Sequence, residues 1–381
     1  MKIVIDNKIP FIKGVLEPYA DVVYLAGDAF TRSDVVNADA LIIRTRTKCN
    51  EALLKDTSVQ FIATATIGYD HIDTEWCEAN DIVWTNAPGC NSDSVYQYIA
   101  SILATLSTHF GFRFEGKTLG VVGMGNVGTK VARLGEVLGM KVLMNDPPRA
   151  EKEGLAHFAA LDEVLSRSDI ISLHVPLCSG PHPTCHLFDE NAFKQLPRGT
   201  IFINSARGEV VDSAALKNVL KNKKIGAAAL DVWENEPDID LEMLALLNIA
   251  TPHIAGYSAD GKANGTAMSI QALSRFFGLP LMDWYPPEIP NPAQPLFFEL
   301  DCAKKNMQQC LCEAILYTYA VKDDDKRLRI SPETFEMQRG DYPVRREFTA
   351  FTVDVRNAIP EIEDRLRTLG FKINQNISIG I

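Results

Sequence analysis

Apolar residues recur along the chain in short runs, separated by polar segments whose own apolar positions keep helical spacing. In the first 92 residues the runs Lys2–Asp6, Val22–Leu25, Leu41–Ile43, Phe61–Thr64 and Ile82–Trp84 have strand length and composition. Helical stretches, Ser33–Ala38, Asn50–Lys55 and Asp70–Ala79, lie between them. Such alternation predicts βαβ units on a parallel sheet. A helix over Ser92–His109 follows. The rhythm then resumes with strand-like runs at Leu119–Val122, Lys141–Asn145, Ile170–His174, Thr200–Asn204, Ile225–Leu230 and Ile249–Thr251, which predict a second doubly wound sheet. A helix near Ser258–Gly278 returns the chain to the first domain. Between Tyr285 and Pro295 five prolines exclude both helix and sheet interior, so this stretch reads as a linker. Beyond it, helical periodicity at Cys302–Ala320 and Glu361–Leu369 and a strand-like run at Glu347–Val355 describe a small α+β module. The expected domains are 1–92 with 257–285, then 93–256, then 286–381.

One stretch carries more than pattern. The run Leu119–Val122 leads into Gly123, Gly125 and Gly128 in G-x-G-x-x-G spacing, and an amphipathic helix follows with Val127, Val131, Leu134 and Leu138 on one face. In this setting the first glycine permits the tight turn. The second lets a pyrophosphate approach the backbone, and the third lets helix and strand pack closely. The helix N-terminus offers unpaired N–H groups to the anion. Asp146, at the end of the next apolar run, stands where an acid would accept hydrogen bonds from the adenosine ribose. A dinucleotide site is expected here, with NAD favoured over NADP because the Asp146 charge repels a 2′-phosphate.

Bulk properties bound the rest. The chain has 381 residues, too many for one core, and is 46% hydrophobic and 23% charged, ordinary for a globular protein. No run reaches the ~18 apolar residues of a membrane span. The first residues enter a strand at once, so no export signal is expected. The eight cysteines are scattered, which suits free thiols in a reducing cytoplasm. A net charge of −11 argues against nucleic-acid or anionic-membrane partners and requires a locally basic pocket for any anionic substrate.

Polar residues gather where apolar runs end, the place where ligands bind in open α/β sheets. In the first domain these are Arg44, Thr45, Arg46 and Thr66, candidates for an anion, although a solvated turn explains any one of them alone. In the second half Arg207, Asp231, Glu236 and His253 lie just past strand-like runs. Hydride transfer from an alcohol carbon needs a base for the hydroxyl proton, and histidine titrates in the right range. A carboxylate beside it favours the imidazolium and orients the ring. An arginine can clamp a substrate carboxylate bidentately. A second cluster, His174, Cys178, His182, Cys185 and His186, has the composition of a metal site, but this chemistry needs no metal and none is expected.

Together these stretches resemble the D-isomer-specific 2-hydroxyacid dehydrogenases from residue 1 to about 285. The resemblance rests on Gly123–Gly128, His174–Leu177, Asn204–Gly208, Asp231–Pro237 and Pro252-His253. Ala63–Asp73, Ala87–Asn91, Asn145–Arg149 and His253–Thr266 are similar to members that oxidise 4-phospho-D-erythronate, and the proline-led C-terminal module is similar to their dimerisation domain. The resemblance implies a flavodoxin-like substrate domain, a Rossmann NAD domain and a homodimer. It implies Arg207, Glu236 and His253 as catalytic residues. NAD would be bound by Gly123, Gly125, Asn126, Val127, Gly128, Asp146, Val175, Ala206, Arg207, Asp231 and Gly256. A phosphorylated 2-hydroxy acid would be bound by Arg44, Thr45, Arg46, Thr66 and Tyr257. Val175 stands where the family often has threonine, and Thr45 where serine is expected. The alternatives are a relative acting on 3-phosphoglycerate or an unphosphorylated D-2-hydroxy acid, and an NAD-sensing corepressor without activity.

Overall fold

Every strand-length run before the proline-rich segment forms a strand. The computed structural model describes residues 1–374, so the last seven residues of the expected C-terminal module, 375–381, lie outside the described residues. The chain divides into two compact units, Met1–Asn91 with Ser258–Pro290, and Ser92–Tyr257 with Asn291 onward.

In the first unit, β1 (Lys2–Asp6), β2 (Asp21–Leu25), β3 (Ala40–Ile43), β4 (Phe61–Thr64) and β5 (Val83–Thr85) pair in parallel in the order β2-β1-β3-β4-β5. This is the flavodoxin-like order. Successive residues along these strands serve opposite faces. Ile3, Ile5, Ile42 and Ala63 pack with Ile270 and Leu273, whereas Val4, Leu41, Ile43 and Ile62 pack with Val35, Leu53 and Cys77. Both faces are therefore covered, which is why the runs read as continuously apolar. Ile270 and Leu273 belong to the helix Ala259–Phe277. The Ser258 side chain caps its first turn by accepting from Gly261 N, and it stops at Gly278, where φ is +71°.

The second unit contains β6 (Thr118–Val122), β7 (Lys141–Asn145), β8 (Ile170–Leu173), β9 (Thr200–Asn204), β10 (Ile225–Leu230) and β11 (Ile249–Ala250), all parallel in the order β11-β10-β9-β8-β6-β7. The chain reverses direction across the sheet between β6 and β8, the kind of switch point where dinucleotides bind. The register aligns the carboxyl ends in one row. Asn145 pairs with Val122, Val122 with Leu173, Leu173 with Asn204, Asn204 with Leu230 and Leu230 with Ala250.

The C-terminal segment has its own parallel sheet, β12 (Phe297–Asp301), β13 (Thr352–Arg356) and β14 (Lys372–Ile373), in the order β12-β13-β14. The strand expected over Glu347–Val355 divides into a 3-10 turn, Phe348–Ala350, and β13. This segment shares its core with the Rossmann sheet. The helix Met307–Thr318 packs on the buried helix Ser92–Phe110, and Ile99, Leu103, Leu311, Ile315, Phe351 and Leu119 belong to one apolar cluster. Polar contacts join them too. Ser101 Oγ donates to Tyr319 O at 2.8 Å, and Gln97 Nε2 donates to Thr318 Oγ1 at 3.1 Å. Asp325 accepts from Ala250 N at 2.8 Å on the edge strand β11, while Arg329 donates to Leu244 O and Leu247 O. The segment thus closes a sheet edge that would otherwise expose unpaired amides.

Candidate active site

The glycine-rich loop leaves β6 with backbone geometry that side chains would spoil. Gly123 has φ +91°, and a Cβ there would come within 2.7 Å of the His174 and Val175 backbone. A Cβ on Gly128 would lie 1.8 Å from Gly123 O, so only glycine lets the helix Asn126–Val137 seat this close to β6. A Cβ on Gly125 would meet nothing within 4 Å. That exposed, unobstructed backbone at the helix N-terminus suits a pyrophosphate. Asn126 is likewise exposed and Val127 half-buried.

Asp146 follows β7 and orders the same loop. Its Oδ2 accepts from Met124 N at 2.7 Å, and its Oδ1 caps the next helix by accepting from Arg149 N at 3.0 Å. A carboxylate can accept further bonds, so these leave capacity for ribose hydroxyls. Arg149 could in principle receive a 2′-phosphate. Its guanidinium instead bridges Glu153, at 2.7 and 2.8 Å, and Met124 O at 2.6 Å. These groups fit NAD. Val175, half-buried, offers only its backbone and an apolar side chain.

The residues expected to carry chemistry emerge from the shared row of strand ends. After β9, Asn204 shapes the Arg207 loop, donating through Nδ2 to Arg207 O at 2.9 Å and accepting from Ala206 N at 3.0 Å. Arg207 Nη1 donates to Ala206 O at 2.8 Å. Its loop rests directly on the one after β10, since a Cβ on Gly208 would lie 2.1 Å from the Trp233 carbonyl carbon. In that second loop, Glu236 Oε1 accepts from Trp233 N at 2.9 Å and Oε2 meets His253 Nδ1 at 2.7 Å. This pairing orients the imidazole and leaves Nε2 for a substrate hydroxyl. Burial raises the Glu236 carboxyl pKa, but the hydrogen bond and charge of His253, the Trp233 N–H and the nearby Arg339 together bring it below its ordinary value. Glu236 is therefore ionised at neutral pH.

Asp231 has a job the sequence did not announce. It is buried, and both of its oxygens are engaged. Oδ1 accepts from Ile254 N at 2.8 Å and from Thr251 Oγ1 at 2.6 Å, while Oδ2 accepts from Ala255 N at 2.8 Å. Its backbone carbonyl accepts from His253 N at 2.7 Å. These bonds impose the turn in which His253 adopts φ +55°, a left-handed conformation unusual for histidine. Gly256 and Tyr257 end this turn, and the Tyr257 ring packs edge-on against Tyr342, with centroids 5.9 Å apart.

In the first unit the candidates have unequal surroundings. Arg44 Nε lies 3.2 Å from Oδ2 of the fully buried Asp6. Thr66 Oγ1 bonds Thr64 Oγ1 at 2.7 Å and donates to Gly68 O at 3.0 Å. Thr45 and Arg46 are exposed at the exit of β3. In the second cluster His174 Nε2 meets Ser172 Oγ, His182 Nε2 meets Glu151, and His186 Nε2 meets Glu234. Among the described residues no three His, Cys, Asp or Glu side chains converge as metal ligands.

A family model described as the NAD binding domain of D-isomer specific 2-hydroxyacid dehydrogenases matches residues 99–255, and a domain model of unknown function matches residues 293–370. The chain is 49% identical to an erythronate-4-phosphate dehydrogenase of Bacteroides thetaiotaomicron, covering 93% of this chain and 99% of that protein. To the enzyme of the same name from Chromohalobacter salexigens it is 39% identical, covering 98% and 99%. Among solved structures, a D-lactate dehydrogenase from Aquifex aeolicus complexed with NAD and lactic acid matches with TM-score 0.62 and 27% identity, over 73% of this chain and 96% of that one.

Proposed function

We propose that this chain, which belongs to the erythronate-4-phosphate dehydrogenase family of D-isomer-specific 2-hydroxyacid dehydrogenases, oxidises the 2-hydroxyl of 4-phospho-D-erythronate. The product is (R)-3-hydroxy-2-oxo-4-phosphooxybutanoate, and the reaction is a step of pyridoxal 5′-phosphate synthesis. The observation that carries the reading is the His253 Nδ1 to Glu236 contact of 2.7 Å. NAD supplies the hydride acceptor when bound on the glycine loop beside Asp146. Arg207 binds the substrate carboxylate and the 2-oxygen, stabilising charge on that oxygen. His253 Nε2 removes the hydroxyl proton, and the ionised Glu236 stabilises the imidazolium that forms. The substrate phosphate falls to Arg44, Thr45, Arg46, Thr66 and Tyr257 as hydroxyl and guanidinium donors. Ala206, Val175, Asp231 and Gly256 complete the cofactor contacts.

The test is turnover of 4-phosphoerythronate followed by NADH absorbance, alongside 3-phosphoglycerate and D-lactate. Higher kcat/KM for either of the latter would reassign the substrate within the family. No turnover of any acid would favour a dinucleotide-sensing corepressor. The enzyme acts as a homodimer in the cytoplasm on this reading. The free state of all eight cysteines suits a reducing compartment. Exposed Ile330, Met337 and Val344 on the C-terminal segment supply apolar surface for a second copy. Because that segment shares a core with the Rossmann sheet, the better test is a charge on its surface rather than its removal. Ile330→Asp with Met337→Asp should give a monomer by light scattering.

A further inference from the structure

The turn that presents His253 is gripped from two sides. Asp231 takes its N–H groups, as described above. Its carbonyls point the other way, into the C-terminal segment, and meet Arg345. Arg345 Nη2 donates to Ala255 O at 2.5 Å, to Ile254 O at 3.3 Å and to Ser94 Oγ at 2.5 Å. Ser94 Oγ in turn donates to Ala255 O at 2.9 Å. The guanidinium lies 4.4 Å from the centroid of the Tyr319 ring, and only 4% of Arg345 is exposed. The ionisable groups around it are Asp231, Tyr319, Asp324 and Tyr342. Asp324 accepts from the Tyr319 and Tyr342 hydroxyls at 2.7 and 2.6 Å. On the opposite side, Tyr98 bonds Thr251 Oγ1 at 2.7 Å, and Thr251 donates to Asp231.

We propose that Arg345 is a positioning residue for proton transfer: it holds the carbonyl side of the Ile254–Ala255 turn while Asp231 holds the amide side, and the two together set His253 against Glu236. A buried guanidinium spent on two backbone carbonyls is costly unless its contacts matter, because a buried charge needs partners to replace water. Here the partners include the two residues that follow the proposed base. Arg345 Nε and Nη1 find no hydrogen-bond acceptor, so its one well-engaged nitrogen is the one that meets this turn. The C-terminal segment would then contribute to the chemistry without touching substrate. This inference rests on His253 being the base.

The test uses the full-length protein with Arg345→Met and Arg345→Lys, measuring kcat, the pH profile of kcat/KM, NADH affinity by fluorescence and the thermal midpoint. Arg345→Met should lower kcat by roughly ten- to a hundredfold, the scale of a misplaced catalytic group. NADH affinity should stay within about twofold, since the glycine loop is held by other residues, and the acid limb of the profile should move. Arg345→Lys, with one donor on a flexible stem, should lose about threefold in kcat and shift the limb in the same direction. In an Arg345→Met background, Glu236→Gln should cost less than it does alone, because both changes disturb one unit. A folded Arg345→Met protein with a lower thermal midpoint but native kcat and profile would overturn the proposal. If that variant does not fold, native kcat and profile in Arg345→Lys would overturn it instead. Full activity in His253→Ala would break the catalytic reading itself, a distinct result from an inactive His253→Ala beside native-like Arg345 variants.

Discussion

The two parallel sheets end in loops of the same kind, but they treat their polar side chains differently. At the end of the first sheet, Arg44 is turned back onto the buried Asp6, and Thr66 bonds a neighbouring hydroxyl and a carbonyl of its own loop. At the end of the second, backbone amides and carbonyls hold Glu236, Asp231 and the His253 turn, and Nε2 of His253, the proposed proton acceptor, is left over. A shared architecture therefore places polar residues at strand ends, and the local hydrogen bonds set how each is held before a ligand arrives.

Breaking the second arrangement should have the larger consequences. His253→Ala removes the leftover atom and should lower kcat by about a hundredfold or more, the usual scale for a general base, with NADH binding retained in a fluorescence titration. Glu236→Gln should follow at roughly tenfold in kcat/KM at neutral pH, on the scale of one charged hydrogen bond. The sign of its pH effect comes from the depressed Glu236 pKa. A carboxyl held below its ordinary value remains ionised above that value and gives up its contribution only as pH falls through the lowered one. Removing the counter-charge should move the acid limb of the kcat/KM profile to lower pH in Glu236→Gln. A limb that stays in place would show that the pair does not control proton transfer.

What could be read in the sequence follows the same division. Strands buried on both faces advertise themselves as apolar runs, and the glycine spacing marks a backbone that must approach its ligand, so both doubly wound sheets and the loop Gly123–Gly128 were legible. The row of strand ends also made Arg207, Glu236 and His253 stand out. The C-terminal sheet was harder. β12 alternates, with Phe298 and Leu300 buried but Phe297 exposed, and it follows directly on the prolines. The helix Val321–Ile330 is mostly charged, burying only Val321, Leu328 and an Asp324 that serves tyrosine hydroxyls, so its apolar periodicity is weak. Arg345 meets Ile254 and Ala255 across ninety residues of chain, a contact that no local pattern encodes. Asp231 gave a signal as a strand-end acid, but its engagement with the turn amides became visible only once the turn was folded.

Asp146 tests the cofactor side of the comparison, with a smaller effect. Its carboxylate orders the loop and is the proposed acceptor for the ribose hydroxyls, whereas Arg149 is occupied by Glu153 and Met124 O. Asp146→Ala should raise NADP efficiency relative to NAD by about ten- to a hundredfold, one charged hydrogen bond's worth, in paired kinetic assays. An unchanged ratio would mean that something other than this charge excludes the 2′-phosphate.

The finest distinction lies within the first unit, between two arginines separated by a single residue. Arg44 is engaged by Asp6, which is fully buried and also accepts from Lys8 N at 2.8 Å. Arg46 lies exposed at the same strand exit. The two sites differ in burial, and their alanine variants should fail in different ways. Arg44→Ala leaves a buried carboxylate short of its cation and should cost about 1–2 kcal/mol, since one face of that pair already meets water. The thermal midpoint should fall by a few degrees. Arg46→Ala, at an exposed position, should lower the midpoint by less than Arg44→Ala does and raise KM for 4-phosphoerythronate about tenfold, with kcat for an unphosphorylated analogue nearly native. Equal losses with both substrates would move the phosphate away from Arg46. An Arg44→Ala protein of native stability whose defect is confined to the phosphorylated substrate would show that its bond to Asp6 is given up when substrate arrives, and that availability at this strand end is settled by the ligand rather than by the resting hydrogen bonds.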